Sequence, residues 1–167
     1  MTLAFTLMMF AACSTPPSRN IAPVPTLSSD QSGDLAIVTG QLVFVPAYSE
    51  IFYGEGDRVV ALTITLAVHN TDPEHDLIVR SVKYFDTNGT LIREFIEQPV
   101  ILRPMATTGF LINESDVSGG WGSNFLVDWG AEQPVHEPVV EAIMISVRGM
   151  DSLSFVSPGR VLSERQS

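Results

Sequence analysis

Apolar and polar residues alternate along several short stretches of the chain, which is the pattern of β-strands with one buried face. The clearest case is 59–69, where every second residue is apolar: Val60, Leu62, Ile64, Leu66 and Val68. Thr63, Thr65 and His69 lie on the other face, together with Ala61 and Ala67. This spacing predicts one strand over 59–69, which ends at the turn formed by Asn70–Pro73.

The rest of the chain predicts further strands and no convincing helix. Two β-rich runs at 77–85 and 91–96 flank Asn88 and Gly89, a pair that marks a tight hairpin because both residues accept positive φ. The run 138–147 is rich in β-branched residues, and we expect a central strand buried on both faces. A helix is the alternative there, because its apolar residues do not alternate strictly. Further strands are expected at 35–45, 99–103, 107–112, 124–129 and 153–156. This organisation favours an all-β, antiparallel sandwich of immunoglobulin or fibronectin type with about seven to nine strands.

Composition and charge narrow the class of protein. Of the 167 residues, 45% are hydrophobic and 17% are charged, which is enough apolar material for the core of one domain. Nineteen acidic residues oppose nine basic ones, and the formal net charge is −10. We therefore expect no nucleic acid partner, because such binding requires a field of Lys and Arg side chains.

The first 12 residues precede the single cysteine, Cys13, and carry no charge. They are too few to span a membrane as a helix, which takes about 20 apolar residues, and they have the length of the apolar part of a signal peptide. Ala11 and Ala12 before Cys13 are similar to the lipobox of bacterial lipoproteins, in which the cysteine receives the lipid. Phe10 stands where that box usually has leucine, and no basic residue precedes the apolar stretch. A buried cysteine at the start of a core segment is the alternative interpretation.

Residues 13–34 are rich in proline and serine and have no hydrophobic period, so we expect a lipidated, disordered tether. The chain is thus predicted to contain a signal-peptide remnant (1–12), this tether and a single β-sandwich domain (35–167). Lipidated Cys13 would anchor the domain to a membrane of the bacterial cell envelope, facing the periplasm or the cell exterior. One cysteine also excludes an internal disulfide and a cysteine-cluster metal site.

Short motifs spread over the domain resemble those of one known family. They are Val45–Ser49, Asn70–Pro73, Tyr84–Asp86 with Gly89, Ser118–Gly120 with Gly122, Asn124 with Phe125, Trp129, Glu137–Pro138, Phe155–Ser157 and Gly159–Val161. Together they are similar to Domain of Unknown Function 3124, a family of short bacterial lipoproteins with no assigned activity, over about residues 40–162. The resemblance implies an exported lipoprotein, and it carries over no catalytic or ligand-binding residue.

One polar turn holds groups that bind metals in other proteins. Its imidazoles and carboxylates would suit zinc, and the carboxylate oxygens alone would suit calcium. The spacing matches no closed metal motif, however, and a turn between strands is commonly rich in Asp and Asn. We therefore expect no cofactor, with a divalent cation as the alternative. The candidate ligands are His69, Asp72, His75 and Asp76, with Glu74 between them.

A glycine-rich segment before the strand at 124–129 is predicted to be a flexible loop that presents one large aromatic side chain. It lacks the Lys-Ser/Thr of a phosphate-binding P-loop. The candidate binding residues are Gly119, Gly120, Trp121, Gly122 and Asn124. Alternatively, Trp121 folds back as a lid over the end of the sandwich, whereas Trp129 is expected in the core. A second aromatic cluster is expected to plug the bottom of the sandwich, with contact to an apolar or cationic partner as the alternative: Tyr48, Phe52 and Tyr53.

The sequence contains no nucleophile elbow, zinc-protease motif or Cys–His pair, and no two carboxylates are marked as an acid and a base. We therefore expect a protein that is not an enzyme. The leading hypothesis is a lipid-anchored envelope module that binds another protein or a glycan through residues 118–124. The alternatives are a periplasmic protein that binds a divalent metal or small ligand through 69–76 and, third, a hydrolase. The sequence specifies no oligomeric state.

Overall fold

The computed structural model describes residues 36–148 and 151–166. The predicted signal-peptide remnant, Cys13 and the predicted tether lie outside these residues. Within them, no helix is long and apolar enough to cross a membrane. Apart from a 3-10 turn at Gly120–Gly122, the regular structure consists of strands. They are β1 (Thr39–Pro46), β2 (Glu50–Phe52), β3 (Val59–Ala61), β4 (Thr63–His69), β5 (Leu77–Phe85), β6 (Leu91–Glu94), β7 (Val100–Leu102), β8 (Thr107–Ile112), β9 (Asn124–Ala131), β10 (Val139–Arg148), β11 (Asp151–Pro158) and β12 (Arg160–Gln166).

These strands form three antiparallel sheets. A six-stranded sheet has the order β12-β1-β9-β5-β6, with β7 also paired to β5. A four-stranded sheet has the order β11-β10-β4-β8, and β2 pairs with β3. The prediction of an all-β, antiparallel protein is confirmed. The described residues hold more strands than the seven to nine expected, because β2, β3 and β7 are only three residues long and β12 follows β11 directly.

The inward faces of the two larger sheets supply one hydrophobic cluster. Its largest fully buried side chains include Trp129, Tyr84 and Phe125 from the six-stranded sheet and Leu66 and Met144 from the four-stranded sheet. Trp129 is 1% exposed, so its predicted place in the core is correct. At about 25 cal/mol per Å² of apolar surface removed from water, burial of these side chains is the main contribution that holds the sheets together.

The single strand predicted over 59–69 is wrong, because the chain changes partners at Leu62. Before this residue β3 pairs with β2, and after it β4 pairs with β8 and β10. Leu62 is fully buried, and its N–H donates to the carbonyl oxygen of Ser49 at 2.8 Å. The alternation itself is correct, since Leu62, Ile64, Leu66 and Val68 are all 0% exposed.

Strand β10 is central, as predicted, because it lies between β11 and β4. The prediction that it is buried on both faces is wrong. Val140, Ala142 and Met144 point inward and are buried, whereas Val139 and Val147 point outward with 46% and 65% exposure. A run of β-branched residues therefore covers the outward face of the four-stranded sheet as well as its inward face.

The hairpin predicted around Asn88 and Gly89 is present between β5 and β6. The two-residue turn with positive φ at both positions is not, because Gly89 has a φ of 80° and Asn88 is not in the positive-φ region. Instead, the Gly89 N–H donates to the carbonyl oxygen of Asp86, and one Asp86 carboxylate oxygen accepts the N–H groups of Asn88 and Thr90. The bond from Thr90 is the main cause that lowers the pKa of Asp86.

The described chain enters and leaves the fold at the same end. Thr39, at the start of β1, lies opposite both Gln166 and Ala131. We call this the near end. At the far end, Pro46 lies opposite Asn124, which in turn lies opposite Phe85. Because β4 finishes and β5 begins at the near end, the loop over 70–76 belongs there, whereas the loop over 118–123 belongs to the far end.

Candidate functional site

The glycine-rich loop at the far end, which the sequence predicts to be flexible, is bonded to its neighbours on two sides. The N–H and Oγ1 of Thr87 both donate to the Gly119 carbonyl oxygen at 2.9 Å, and Thr87 Oγ1 accepts the Gly122 N–H at 3.0 Å. On the other side, the N–H and hydroxyl of Ser49 both donate to the Gly120 carbonyl oxygen at 3.1 Å. These bonds hold the loop over 118–123 from two sides, and we call this loop the platform.

Two glycines are needed in this platform for different reasons. Gly120 has a φ of 71°, which is the left-handed region where a side chain is strained. Gly119 has an ordinary φ of −73°, but a Cβ there would overlap the hydroxyl of Tyr84 and lie 2.7 Å from Cβ of Ser123. Burial raises the pKa of Tyr84, so this hydroxyl stays protonated at neutral pH.

The platform presents Trp121 to solvent. Its side chain is 53% exposed, which decides between the two alternatives for Trp121 in favour of the exposed one. Phe52, on β2, is 56% exposed, and its ring centroid lies 6.2 Å from that of Trp121 at an interplanar angle of 51°. We call these two side chains the aromatic pair. Asn124, the last of the candidate binding residues, is half-buried at the start of β9.

The second aromatic cluster does not plug the core as a unit. Tyr48 packs against the core with its ring 5.9 Å from that of Phe155, so the expectation is correct for Tyr48 alone. Phe52 and Tyr53 are exposed. An open apolar groove of about 390 Å³ lies beside Tyr48, between β2 and β11. Its lining is Tyr48, Ile51, Phe155, Val156, Ser157 and Pro158.

Arg58 is a contact residue that the sequence pattern did not single out. Its guanidinium lies 4.7 Å from the ring centroid of Tyr53 and donates to the Tyr53 hydroxyl at 3.1 Å. The two residues face each other because the β2–β3 hairpin continues one step beyond its strands, with the Tyr53 N–H donating to the Arg58 carbonyl oxygen. Glu55 and Asp57 are exposed in the same turn, which leaves the hairpin tip with net negative charge.

At the near end, the predicted metal ligand Asp72 is buried and already bonded. One carboxylate oxygen accepts the N–H groups of Glu74 and His75 at 2.9 Å and lies 3.1 Å from Nδ1 of His75. The other accepts the N–H of His136 at 3.0 Å. These bonds, with that of His136 first, hold the pKa of Asp72 well below its ordinary range.

Apart from His75, the other candidate ligands, His69 and Asp76, do not lie next to Asp72. His69 points to the outward face of the four-stranded sheet, with Nδ1 2.8 Å from Oγ1 of Thr107 and Nε2 3.9 Å from Glu141. Asp76 is exposed. Within residues 36–148 and 151–166, no three His, Cys, Asp or Glu side chains are arranged to hold a metal ion.

Asn70 explains why this turn is rich in polar residues. Its side-chain amide donates to the carbonyl oxygens of His75, Leu102 and Arg103 at 2.8 to 3.0 Å. Its Oδ1 accepts the N–H of Asp72 at 2.9 Å. Together with the bond from His136, these contacts join three loops of the near end, so the turn is a structural clasp.

The family relationship covers both ends of this domain. The sequence profile of a family described as a protein of unknown function, DUF3124, matches residues 40–162. The chain belongs to this family. The matched span of this DUF3124 protein includes the aromatic pair, the glycine-rich platform and the clasp around Asp72.

No curated protein matches the sequence. Among solved structures, the DUF3124 chain is similar to one described as the crystal structure of Thermotoga maritima 1070, with a TM-score of 0.40 and 12% sequence identity. The match covers 72% of this chain and 92% of that one.

Proposed function

We propose that this protein is a non-catalytic, lipid-anchored module of the bacterial cell envelope that binds another protein through the aromatic pair. The observation that carries the proposal is the exposure of Phe52 and Trp121, two large rings in contact with each other on a hydrogen-bonded platform. Exposed aromatics that are already held in place lose little conformational entropy on binding, which is why they anchor many interfaces.

The chemistry of the surrounding residues favours a protein over a glycan. Tyr53 and Arg58 stand beside the aromatic pair, and Trp, Tyr and Arg are the residue types that dominate protein interfaces. Stacking of a sugar ring uses one open aromatic face, whereas the rings of Phe52 and Trp121 are tilted by 51° and pack on each other. Glu55 and Asp57 make the rim acidic, so the matching surface of the partner is apolar with a basic rim.

The position of the site agrees with an anchor at Cys13. The described chain begins at the near end, and the aromatic pair lies at the far end of β1 and β9. A lipid on Cys13 would join the membrane to the near end through the tether predicted over 13–34. The aromatic pair lies at the opposite end of the domain, where this attachment leaves it accessible to proteins of the periplasm or the cell exterior.

The arrangement we propose for the fold is a sandwich of the immunoglobulin type. The two larger sheets contribute their inward faces to one hydrophobic cluster, and the described chain passes from the four-stranded sheet to the six-stranded sheet through Gly159. There is no room for a side chain at Gly159, because a Cβ would lie 2.6 Å from the Val43 side chain. Such sandwiches host many unrelated functions, so the function rests on the aromatic pair and not on the fold.

Site-specific photo-crosslinking in the native membrane tests the binding proposal. A photoreactive phenylalanine at position 121 is expected to give one discrete protein adduct, and the same group at the exposed Leu91 is expected to give none. The adduct should weaken at least tenfold when Phe52 is changed to Ser, which removes the neighbouring ring. Equal adducts at both positions, an adduct insensitive to F52S, or a glycan in place of a protein would each contradict the proposal.

The anchor has a separate test. Replacement of Cys13 by Ser removes the only thiol that can carry the lipid, and the protein is expected to move from the membrane fraction to the soluble fraction. Replacement of Ser14 by Ala is the matched control and should leave the protein in the membrane. A C13S protein that stays with the membrane would show that the lipobox interpretation is wrong.

A further inference from the structure

The outward face of the four-stranded sheet carries several exposed, large apolar side chains and few charges. The register of its strands places four outward residues side by side in one row that crosses the whole sheet. The row consists of Leu111 on β8, Thr65 on β4, Ile143 on β10 and Val156 on β11. Leu111 and Val156 are each 52% exposed, and Val147, farther along β10, is 65% exposed.

The outward face of the six-stranded sheet is different, because ion pairs cover it. Asp128 accepts two bonds from Arg165, at 2.8 and 3.1 Å, and lies 3.5 Å from Arg80. Lys83 and Glu94 form another pair at 3.8 Å. Several charged side chains thus lie on this face of the six-stranded sheet.

On the four-stranded sheet, the ionisable side chains among the described outward residues are His69 and Glu141. They lie 3.9 Å from each other, toward the near end. The rest of this face is made of Val, Ile, Leu, Thr, Ser, Ala, Gly and Pro side chains. Two such faces can meet with their charged groups at the rim, where water still reaches them.

The size of the face also suits a stable contact. Four strands about 4.8 Å apart, each with about seven residues that rise about 3.3 Å apiece, make a surface of roughly 19 by 23 Å. With side-chain relief this is roughly 600 Å² of accessible area, so two faces would bury about 1,200 Å², the lower limit for stable protein interfaces. About half of the outward positions are apolar, and the exposed large side chains among them are Leu111, Val139, Ile145, Val147 and Val156. Exposed apolar groups that are gathered on one face in this way are typical of a protein contact surface.

We propose that two copies of this chain associate face to face through the outward side of the β11-β10-β4-β8 sheet. The contact is isologous, so each residue of the row at Ile143 meets the same row of the second copy. The repulsion between two acidic chains is smallest on this face, because it is the face that carries the least charge. The aromatic pair lies at the far end and is not part of the contact.

The symmetry of this dimer is compatible with a membrane. A two-fold axis parallel to the strands keeps both near ends on one side and both aromatic pairs on the other. Under the proposed function, two lipid anchors would then insert in the same leaflet. The dimer would present two aromatic pairs to one partner complex. Simultaneous binding of both pairs would strengthen the binding to that complex.

Sedimentation equilibrium of the purified full chain in detergent tests the proposal. The protein is expected to show twice the mass of one chain. The two-fold axis brings Leu111 of one copy opposite Val156 of the other. L111E and V156E therefore each bury a carboxylate against an apolar side chain at the edges of the contact, and each should raise the dissociation constant at least tenfold, or about 1.4 kcal/mol. L91E is the matched control, because Leu91 is 47% exposed and lies on β6 of the other sheet.

Dissociation of L111E and V156E with an intact dimer for L91E, and with an unchanged circular dichroism spectrum of the folded state, supports the proposal. A wild-type chain that remains monomeric at every concentration overturns it. Equal dissociation of L91E, or no dissociation of any variant, also overturns it, because association would then depend on the lipid or on another surface.

Discussion

Thr87 is bonded to Gly119 twice, since its N–H and its hydroxyl both donate to the same carbonyl oxygen at 2.9 Å. The same hydroxyl oxygen accepts the N–H of Gly122. One threonine of the β5–β6 turn thus holds both sides of Trp121. Loss of this side chain should loosen the platform without touching the aromatic pair itself.

We predict that T87V destabilises the protein by about 1–2 kcal/mol, because two hydrogen bonds of the hydroxyl are lost while the shape of the side chain is kept. Urea unfolding measures the change. T87S retains the hydroxyl and should recover most of the loss. If T87S and T87V are equally destabilised, the methyl group and not the hydroxyl would be the important part of Thr87.

Replacement of Gly119 by Ala tests the close packing under the platform. The backbone at Gly119 is compatible with alanine, so the cost is purely steric, from the hydroxyl of Tyr84 and from Ser123. We expect about 1–3 kcal/mol of destabilisation, as for other over-packed sites.

Gly56 provides the contrasting control for this substitution. It has a φ of 75°, and a Cβ at this position would meet no heavy atom within 4 Å, so G56A should cost about 1 kcal/mol of backbone strain only. The adduct formed at position 121 should also weaken in G119A and persist in G56A. The opposite order of stabilities would contradict the steric explanation.

The depressed pKa of Asp72 predicts how stability depends on pH. A carboxylate whose pKa is lower in the folded state contributes stability that is complete above its unfolded value, 3.8, and is lost as the pH falls toward the folded value. We therefore expect the wild type to lose stability below about pH 4.

D72N removes one acceptor oxygen from the clasp and should be less stable than the wild type at neutral pH. The gap should narrow as the pH falls below 4, because the wild-type carboxylate is then protonated as well. D76N, at an exposed position of the same turn, is the control and should keep the wild-type profile. A gap that stays constant between pH 6 and pH 2 would show that the ionisation of Asp72 has no part in the clasp.

Thermal melting with calcium or zinc tests the alternative role of the turn. The oxygens of Asp72 already accept N–H groups, so we expect no change in Tm with millimolar amounts of either ion. A bound ion at 100 times its dissociation constant would add about 2.7 kcal/mol, which is roughly 5–10 °C for a domain of this size. A rise of that size, lost in D72N, would restore the metal hypothesis.

Local patterns in the sequence predicted much of the fold. Alternation identified the inward face of β4, and Asn88 with Gly89 located the β5–β6 hairpin. The break at Leu62 could not be predicted, because its cause is a hydrogen bond to Ser49 and a change of partner strands. The exposed face of β10 was also missed, since β-branched residues favour strands whether or not a second layer covers them.

The candidate site was predictable in part. Glycines around Trp121 indicated a loop that presents a ring, but the sequence left two alternatives for that ring, exposed or folded back, and the structure has it exposed. The contact between Trp121 and Phe52 could not be predicted from the sequence, because it depends on where the β2–β3 hairpin packs. For the polar turn, the residue types suggested metal ligands, yet Asp72 and Asn70 bind backbone groups of three separate loops, which only the tertiary structure brings together.

The pairing of Thr39 with Gln166 makes the domain suitable for circular permutation. Neighbouring strands lie about 5 Å apart, so a short linker can join these two positions, and new ends can be opened between Glu114 and Ser115 at the far end. The permuted protein would keep every sheet, but its N-terminus would lie at the far end, where the aromatic pair is. A lipid attached directly to this N-terminus, without the tether, would bring the aromatic pair against the bilayer. Binding retained in detergent and lost in cells would show that the orientation of this domain is part of its function.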